Sequence, residues 1–291
     1  MKKIGKIGLA LALLVGFTSC GAKDDQSKSS SNENSKQAQA QDRLKDKDTI
    51  KIGFVGENVD EWNVVKKNFK EKTGKDLEFV PFSDYNQPNE ALDSGDIDLN
   101  AFQHKKFLED YNKAHGTDIV SIGDTVLAPI GIYSNKIKSL DEIKDGDIIA
   151  IPDDPTNEAR ALFLLQSAGL IKVKGEEGDA ISLEDITENP KNLQIKELGA
   201  DQTARNLDDV TASCINSGFA VDAGFLPTKD AIYLEDHTDP KKDIYVNIIA
   251  ARREDADSQT LKDLVKNFYQ TDEVKKSIEE RSKGSEIPAW K

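Results

Sequence analysis

Cysteine, histidine and long apolar runs are all scarce in this chain of 291 residues. Cys20 and Cys214 are the only cysteines, so no disulfide framework and no CxxC pair exists. The three histidines, His104, His115 and His237, fall in separate segments, which excludes an HExxH metal helix. A GxSxG elbow and a GxxxxGK[ST] phosphate loop are also missing, so the common hydrolase and nucleotide-binding readings have no support. Positive charge is in deficit: 39 basic residues against 53 acidic ones leave a net charge of -14. Without a basic face the chain has no electrostatic footprint for nucleic acid. The sole apolar stretch of note, Ile7 to Phe17, is too short to span a bilayer, and no repeat of fixed period occurs.

That stretch belongs to "MKKIGKIGLALALLVGFTSC" (1–20), which has the basic start, apolar middle and small-residue end of an export signal. Its last residues, "FTSC", resemble the lipobox of bacterial lipoproteins, with Phe17 where leucine is usual. Cys20 would then be the lipid-modified N-terminus after cleavage, leaving Cys214 unpartnered. Cys214 in "VTASCIN" reads as a small buried hydrophobe. Residues 21–47 are Ser, Asn, Gln and charge with almost nothing to bury, the composition of a disordered tether. One acyl chain holds a protein only marginally, so such an anchor needs several.

From Asp48 strand-like runs alternate with helical ones: "TIKIGFV", "EWNVVKKNFKEKTG", "DLEFVPF", "PNEALDSG", "DIDLNAF". The alternation restarts at "DIIAIP" and continues through "ARALFLLQSAG", "NLQIKEL" and "TASCIN". Strands interleaved with helices predict two α/β units with mainly parallel sheets. The strand-like "DIYVNIIAARR" then precedes two helices, "QTLKDLVKNFYQT" and "DEVKKSIEERSK", placed to pack back on the first unit.

Two strand-to-helix corners stand out, because α/β sheets bind ligands at the C-terminal ends of their strands. "DLNAFQHKKFL" places Asn100, Phe102, Gln103 and His104 at one; a structural role for His104 and a ligand role both remain open. His115 beside Gly116 reads as a helix end, and His237 in "EDHTDPKK" as a surface loop residue. At the other corner, "IPDDPTNEARALFLLQ" sets Asp154 as N-cap and Pro155 at the first helical position. Asn157 and Arg160 then share one face beside the free N–H groups of the first turn. Arg160 either pairs with Asp153 or holds an anion, for which a carboxylate fits the corner.

With these residues in view, the chain resembles the methionine-binding lipoproteins of bacterial ABC importers, the NlpA or MetQ-like solute receptors. The motifs that carry the resemblance, from about Ile50 to Trp290, include "DYNQPNEALDSGDIDLNAFQH", "PIGIYSNKIKSLDEI", "IAIPDDPTNEARALFLLQSAGLI" and "YVNIIAAR". The resemblance implies the α/β fold of type II periplasmic binding proteins: two lobes, joined by two crossovers, with a ligand cleft between them. Lobe 1 would comprise 48–133 plus 245–291, and lobe 2 residues 134–244. It further implies that Arg160 holds an amino-acid carboxylate. Asn157 and Asn216 would bind the polar α-groups, while Tyr85, Phe102 and His104 would wall a thioether side chain. The expected function is a lipid-anchored extracytoplasmic receptor at the cell membrane, not an enzyme and without cofactor or metal. It would act as a monomer and deliver L-methionine or a close relative to a permease and its ATPase. A methionine-containing dipeptide is the alternative ligand, and a surface adhesin or structural lipoprotein the alternative role. An envelope enzyme using His104 with a carboxylate such as Asp98 finds no recognisable nucleophile–base pair. Two departures from the family pattern bear on the pocket: Phe219 stands where tyrosine is usual, and Asp153 where asparagine is usual.

Overall fold

The computed structural model describes residues 42–56, 59–236 and 238–290. The export signal, Cys20, most of the tether and His237 lie outside the described residues. In chain order the elements are β1 (Thr49–Val55), α1 (Asp60–Thr73), β2 (Asp76–Phe82), α2 (Gln87–Ser94), β3 (Leu99–Asn100), α3 (Lys105–His115), β4 (Ile119–Leu127) and β5 (Ile130–Tyr133). Next come β6 (Ile148–Pro152), α4 (Pro155–Ser167), β7 (Lys172–Val173), β8 (Ile186–Glu188), β9 (Gln194–Leu198), α5 (Ala200–Thr203), β10 (Ala212–Asn216), α6 (Ser217–Asp222), α7 (Pro227–Asp230) and β11 (Tyr233–Leu234). Then follow β12 (Val246–Arg252), α8 (Gln259–Asp263), α9 (Asp272–Ser282) and β13 (Ile287–Pro288).

Ile50, Ile52 and Phe54 alternate along β1 and are buried, which fixes its register: a one-residue slip would turn all three outward. β1 pairs parallel with β2, Ile50 opposite Leu77, and α1 makes the crossover between them. On α1, Trp62, Val65 and Phe69 recur at helical spacing and are buried; Gly74 ends the helix with φ 77°, a left-handed conformation open to glycine. Trp62 packs on Phe54 and Tyr269, with ring centroids 5.2 and 4.6 Å away. Leu261, Leu264, Phe268, Val274 and Ile278 complete this core, so the two helical runs near the C-terminus do return to the first unit. Each such side chain stabilises the fold by roughly 1.5–3 kcal/mol when fully buried.

The second core gathers around α4, whose residues from Thr156 to Leu165 are all buried. A helix apolar on every side belongs inside a core, and Leu162, Leu164 and Leu165 pack with Ile149, Ile151 and Cys214. Burial drives the Cys214 thiol well above its usual pKa, as befits a small hydrophobe. Two ionisable side chains, Glu158 and Arg160, are caught in this helix, and Glu158 accepts from the Leu183 N–H at 3.0 Å. Burial first, then the neighbouring Glu197 carboxylate, pushes it up to about 7 from 4.5. The folded state therefore keeps a proton that the unfolded chain has released, and the stability this confers is lost as pH rises from about 4.5 to about 7. Glu158→Gln is expected to flatten that slope. Urea melts of both proteins at the two ends of the window check it, and parallel slopes would refute it.

The six-stranded sheet has the order β13-β4-β12-β3-β1-β2, and the five-stranded one β11-β5-β10-β6-β9. Both sheets are mixed, where the sequence pattern predicts mainly parallel ones. β12 runs antiparallel to β3 and β4, and β5 runs antiparallel to β10 and β11. Periodicity reports burial, not direction, and each strand that crosses between sheets enters its new sheet from the opposite end.

Two further boundaries move. β5 belongs to the five-stranded sheet, so the first crossing falls at Ala128 and Pro129, ahead of residue 134. Pro129 has no N–H to continue the β4 ladder. The tether, expected to reach residue 47, gives way to folded chain by residue 42: Leu44 is wholly buried and Asp42 caps α8, accepting from Ser258 Oγ at 2.8 Å and Gln259 N at 3.0 Å. Arg43 reaches Asp255 at 2.5 Å. Among the described residues no helix is long and apolar enough to cross a membrane.

Candidate functional site

Between the two sheets lies a cavity of about 120 Å³. A single water needs roughly 10–15 Å³ on the same measure, so the space suits a small organic molecule. Tyr85, Phe102, His104, Asn157, Arg160 and Asn216, the six residues named from sequence, all line it. They come from four separated stretches of chain.

The first wall is the loop from β3 to α3. Asn89, Asn100 and Gln103 form a closed amide network, with Asn89 Nδ2 donating to Gln103 Oε1 and Asn100 Nδ2 donating to Asn89 Oδ1, each at 2.8 Å. Buried and mutually satisfied, these amides fix the loop. They thereby set Phe102 and His104 on the cavity side. Phe102 lies 5.9 Å from Tyr85 and 5.8 Å from Phe107, and Phe219 closes on Tyr85 at 5.2 Å from the other sheet.

His104 caps α3. Its Nδ1 accepts from the Phe107 N–H at 3.1 Å, which places the ring proton on Nε2. Burial first, then the positive charge of Arg160, pushes the imidazole down to about 3. Nε2 makes no hydrogen bond of full geometry, and the Asn157 side chain beside the ring raises the imidazole against these two effects. Neutral His104 is expected to hold the Nε2–H tautomer from about pH 5 to about pH 8, where an unperturbed histidine would titrate. Ring ¹⁵N shifts moving through this range would refute that.

The second wall begins at α4. Asp154 is its N-cap, accepting from the Asn157 N–H at 3.0 Å, with Pro155 in the first turn as expected. The Asn157 side-chain amide also donates to Asp154, and Asn157 Oδ1 accepts from Asn216 Nδ2 at 2.8 Å. Burial raises the Asp154 carboxyl to about 6 despite these bonds. The opposite end of the second amide, Asn216 Oδ1, is buried with no donor.

Arg160 does not pair with Asp153, which is exposed. Its partner is Glu235: Nε donates to Oε1 at 3.1 Å, and Nη2 to Oε2 and to the Ala128 carbonyl, the latter at 2.9 Å. The guanidinium lies over the Tyr245 ring, 4.2 Å from its centroid. Lys242 completes the cluster, 3.1 Å from Glu235 and 2.8 Å from Glu177. Burial opposes both charges of the central pair, but their mutual attraction prevails: Arg160 is held above its usual pKa and Glu235 below.

Asn247, which lines the cavity, and Glu235, which pairs with Arg160 behind it, escaped the sequence reading. Asn247, on β12, faces the same cavity and bridges to His104; it lies inside "YVNIIAAR", but nothing in strand periodicity separates it from its neighbours. Glu235 has no local signal at all. Among the described residues no cluster of three His, Cys, Asp or Glu is placed to hold a metal.

A cleft between two α/β sheets, joined by two crossings and closing over paired amides, a neutral imidazole and an ion-paired arginine, defines a type II solute-binding protein of the periplasmic class. The comparisons narrow this: the model of the NlpA lipoprotein family matches residues 50–290, and the chain belongs to that family. It is 49% identical to outer membrane lipoprotein 3 of Mannheimia haemolytica, with 78% of this chain and 84% of the relative covered. It is 46% identical to the D-methionine-binding lipoprotein MetQ of Salmonella typhimurium, covering 84% and 90%. Among solved structures it is similar to a nutrient binding protein from Burkholderia cenocepacia bound to methionine. That match has a TM-score of 0.78 and 48% identity over 83% of this chain and 100% of that one.

Proposed function

We propose that the protein is the lipid-anchored extracytoplasmic receptor of an ABC importer, that it binds L-methionine or a close relative, and that it passes the ligand to a membrane permease driven by a separate ATPase. It acts as a monomer, held at the cell membrane through lipid on Cys20. Its two lobes, about 48–128 with 245–290 and about 130–244, meet over the cavity. The observation that carries this reading is a sealed acceptor without a partner, Asn216 Oδ1, in the same small cavity as the Arg160 guanidinium. An unmade buried hydrogen bond costs roughly 1–3 kcal/mol, so a ligand that donates to this oxygen gains on binding. A zwitterionic amino acid offers its ammonium to Asn216 and its carboxylate to Arg160. The thioether then meets Tyr85, Phe102 and Phe107, where sulfur–aromatic contacts contribute roughly 0.3–1.5 kcal/mol each. Closure of two lobes over the ligand follows from its higher affinity for the closed state.

The decisive experiment is a mass spectrum of ligand released from purified protein, followed by titration calorimetry of protein stripped by unfolding and refolding. One-to-one heat with L-methionine or its D-isomer is expected; silence across amino acids and short peptides would end the proposal. A methionine-containing dipeptide is the second reading. A larger space of about 500 Å³ adjoins the first, and Phe219 separates the two as a wall of the larger one. Binding of a dipeptide but not of free methionine would favour it.

A further inference from the structure

The arginine at the heart of the cavity is already engaged. Glu235 takes the Nε and Nη2 edge of Arg160, and Nη2 is shared with the Ala128 carbonyl. A guanidinium offers its donors in a fixed planar fork, so an edge occupied by one carboxylate is closed to a second. Nη1 remains, with no bond to any described residue, on a side chain that lines the cavity.

We infer that Glu235 is a positioning residue for ligand recognition: it turns Arg160 so that Nη1 alone meets the ligand carboxylate, and it ties that contact to both crossings between the sheets. The inference rests on the function proposed above. The tie is visible in the backbone. Glu235 Oε2 accepts from the Ile130 N–H at 3.3 Å, and the Glu235 N–H donates to the Ile130 carbonyl at 3.0 Å. Ala128 and Ile130 flank the first crossing, while Glu235 and Lys242 lie on the second, between β11 and β12. One buried carboxylate therefore holds the ligand-binding cation, an amide of the outgoing strand and a lysine of the return segment. A ligand pulling on Nη1 pulls on the joints about which the sheets would move.

Three consequences follow from this geometry. Selection for a free carboxylate depends on the orientation of Arg160, not on its charge alone. Removing the Glu235 charge frees the fork to turn, so carboxylate recognition weakens while the thioether and ammonium contacts stay. Lys242, which also touches Glu235, keeps its own bond to Glu177 and does not replace the lost orientation.

The test is Glu235→Gln, titrated with L-methionine and with L-methioninol, which keeps ammonium and thioether but lacks the carboxylate. The parent should prefer methionine, and in the variant that preference is expected to fall about tenfold, the equivalent of about 1.4 kcal/mol, with methioninol binding changed less than about twofold. Equal weakening for both ligands would make Glu235 merely structural and overturn the inference, as would an unchanged preference. A parent that binds neither ligand would instead remove the proposed function, and this inference with it. If the glutamine variant fails to fold, guanidinium ¹⁵N spectra of the parent decide. Methionine should shift Arg160 Nη1 and leave the Nε resonance in place, and a shift of Nε alone would refute the assignment.

Discussion

Arg160→Ala is expected to abolish ligand binding and also to lower folding stability by about 3–5 kcal/mol, the range for breaking a buried ion pair by removing one partner. Glu235 would be left buried with only Lys242 and the Ile130 N–H to satisfy it. The stacking of the guanidinium on Tyr245 would go as well, exposing the ring face to an empty space. Urea melts report the stability and calorimetry the binding. The two losses have different causes, and a double variant separates them. Arg160→Met with Glu235→Leu removes both charges and leaves Lys242 on Glu177. Apolar replacement of a whole buried pair is often neutral or stabilising, so the double variant should recover most of the stability and none of the binding. If Arg160→Ala were as stable as the parent, the pair would not be desolvated as it stands here.

The site was legible in the sequence where its chemistry is local, and hidden where it depends on distant partners. "PDDPTNEAR" announces an N-cap, a first-turn proline and an arginine one turn further on, and all three lie where the pattern puts them. What the arginine does was beyond reach, since its partner sits 75 residues away in a segment with no periodicity. His104 and His115 differ in the same way. His115 beside Gly116 ends α3 as expected from the glycine alone. His104 needed the folded loop to show that its proton is on Nε2.

The architecture follows the same division. Alternating apolar residues located the strands, and a wholly apolar helical run located α4 in a core. Strand direction was not encoded locally, so the mixed sheets and the early crossing at Pro129 appeared only in the fold. Leu44, a single apolar residue in a polar run, gave no periodic signal, yet it is buried in the first core and ends the tether. The family resemblance added Tyr85 and Asn216 to Phe102 and Asn157, already read from the two corners, and the fold sets all four around one cavity.

Asn216→Ala is expected to raise the dissociation constant for methionine roughly 10- to 150-fold, since a hydrogen bond to a charged group contributes about 1.5–3 kcal/mol. The amide has two ends with two tasks. Nδ2 donates to Asn157 Oδ1 at 2.8 Å and thereby orients both side chains, while Oδ1 is left as the sealed acceptor for the ligand ammonium. Alanine removes both, but the Asn157 oxygen it exposes opens into the cavity, where water replaces the lost donor. Stability should therefore change by less than about 1 kcal/mol, the worth of a typical net hydrogen bond. The discriminating ligand is the α-hydroxy analogue of methionine, which keeps carboxylate and thioether but carries no ammonium. It should bind parent and variant within a few-fold of each other, because a neutral hydroxyl gains far less than an ammonium from that acceptor. If both ligands weaken equally, Asn216 acts by supporting Asn157, and the ammonium must be sought at Asn247 on the facing strand.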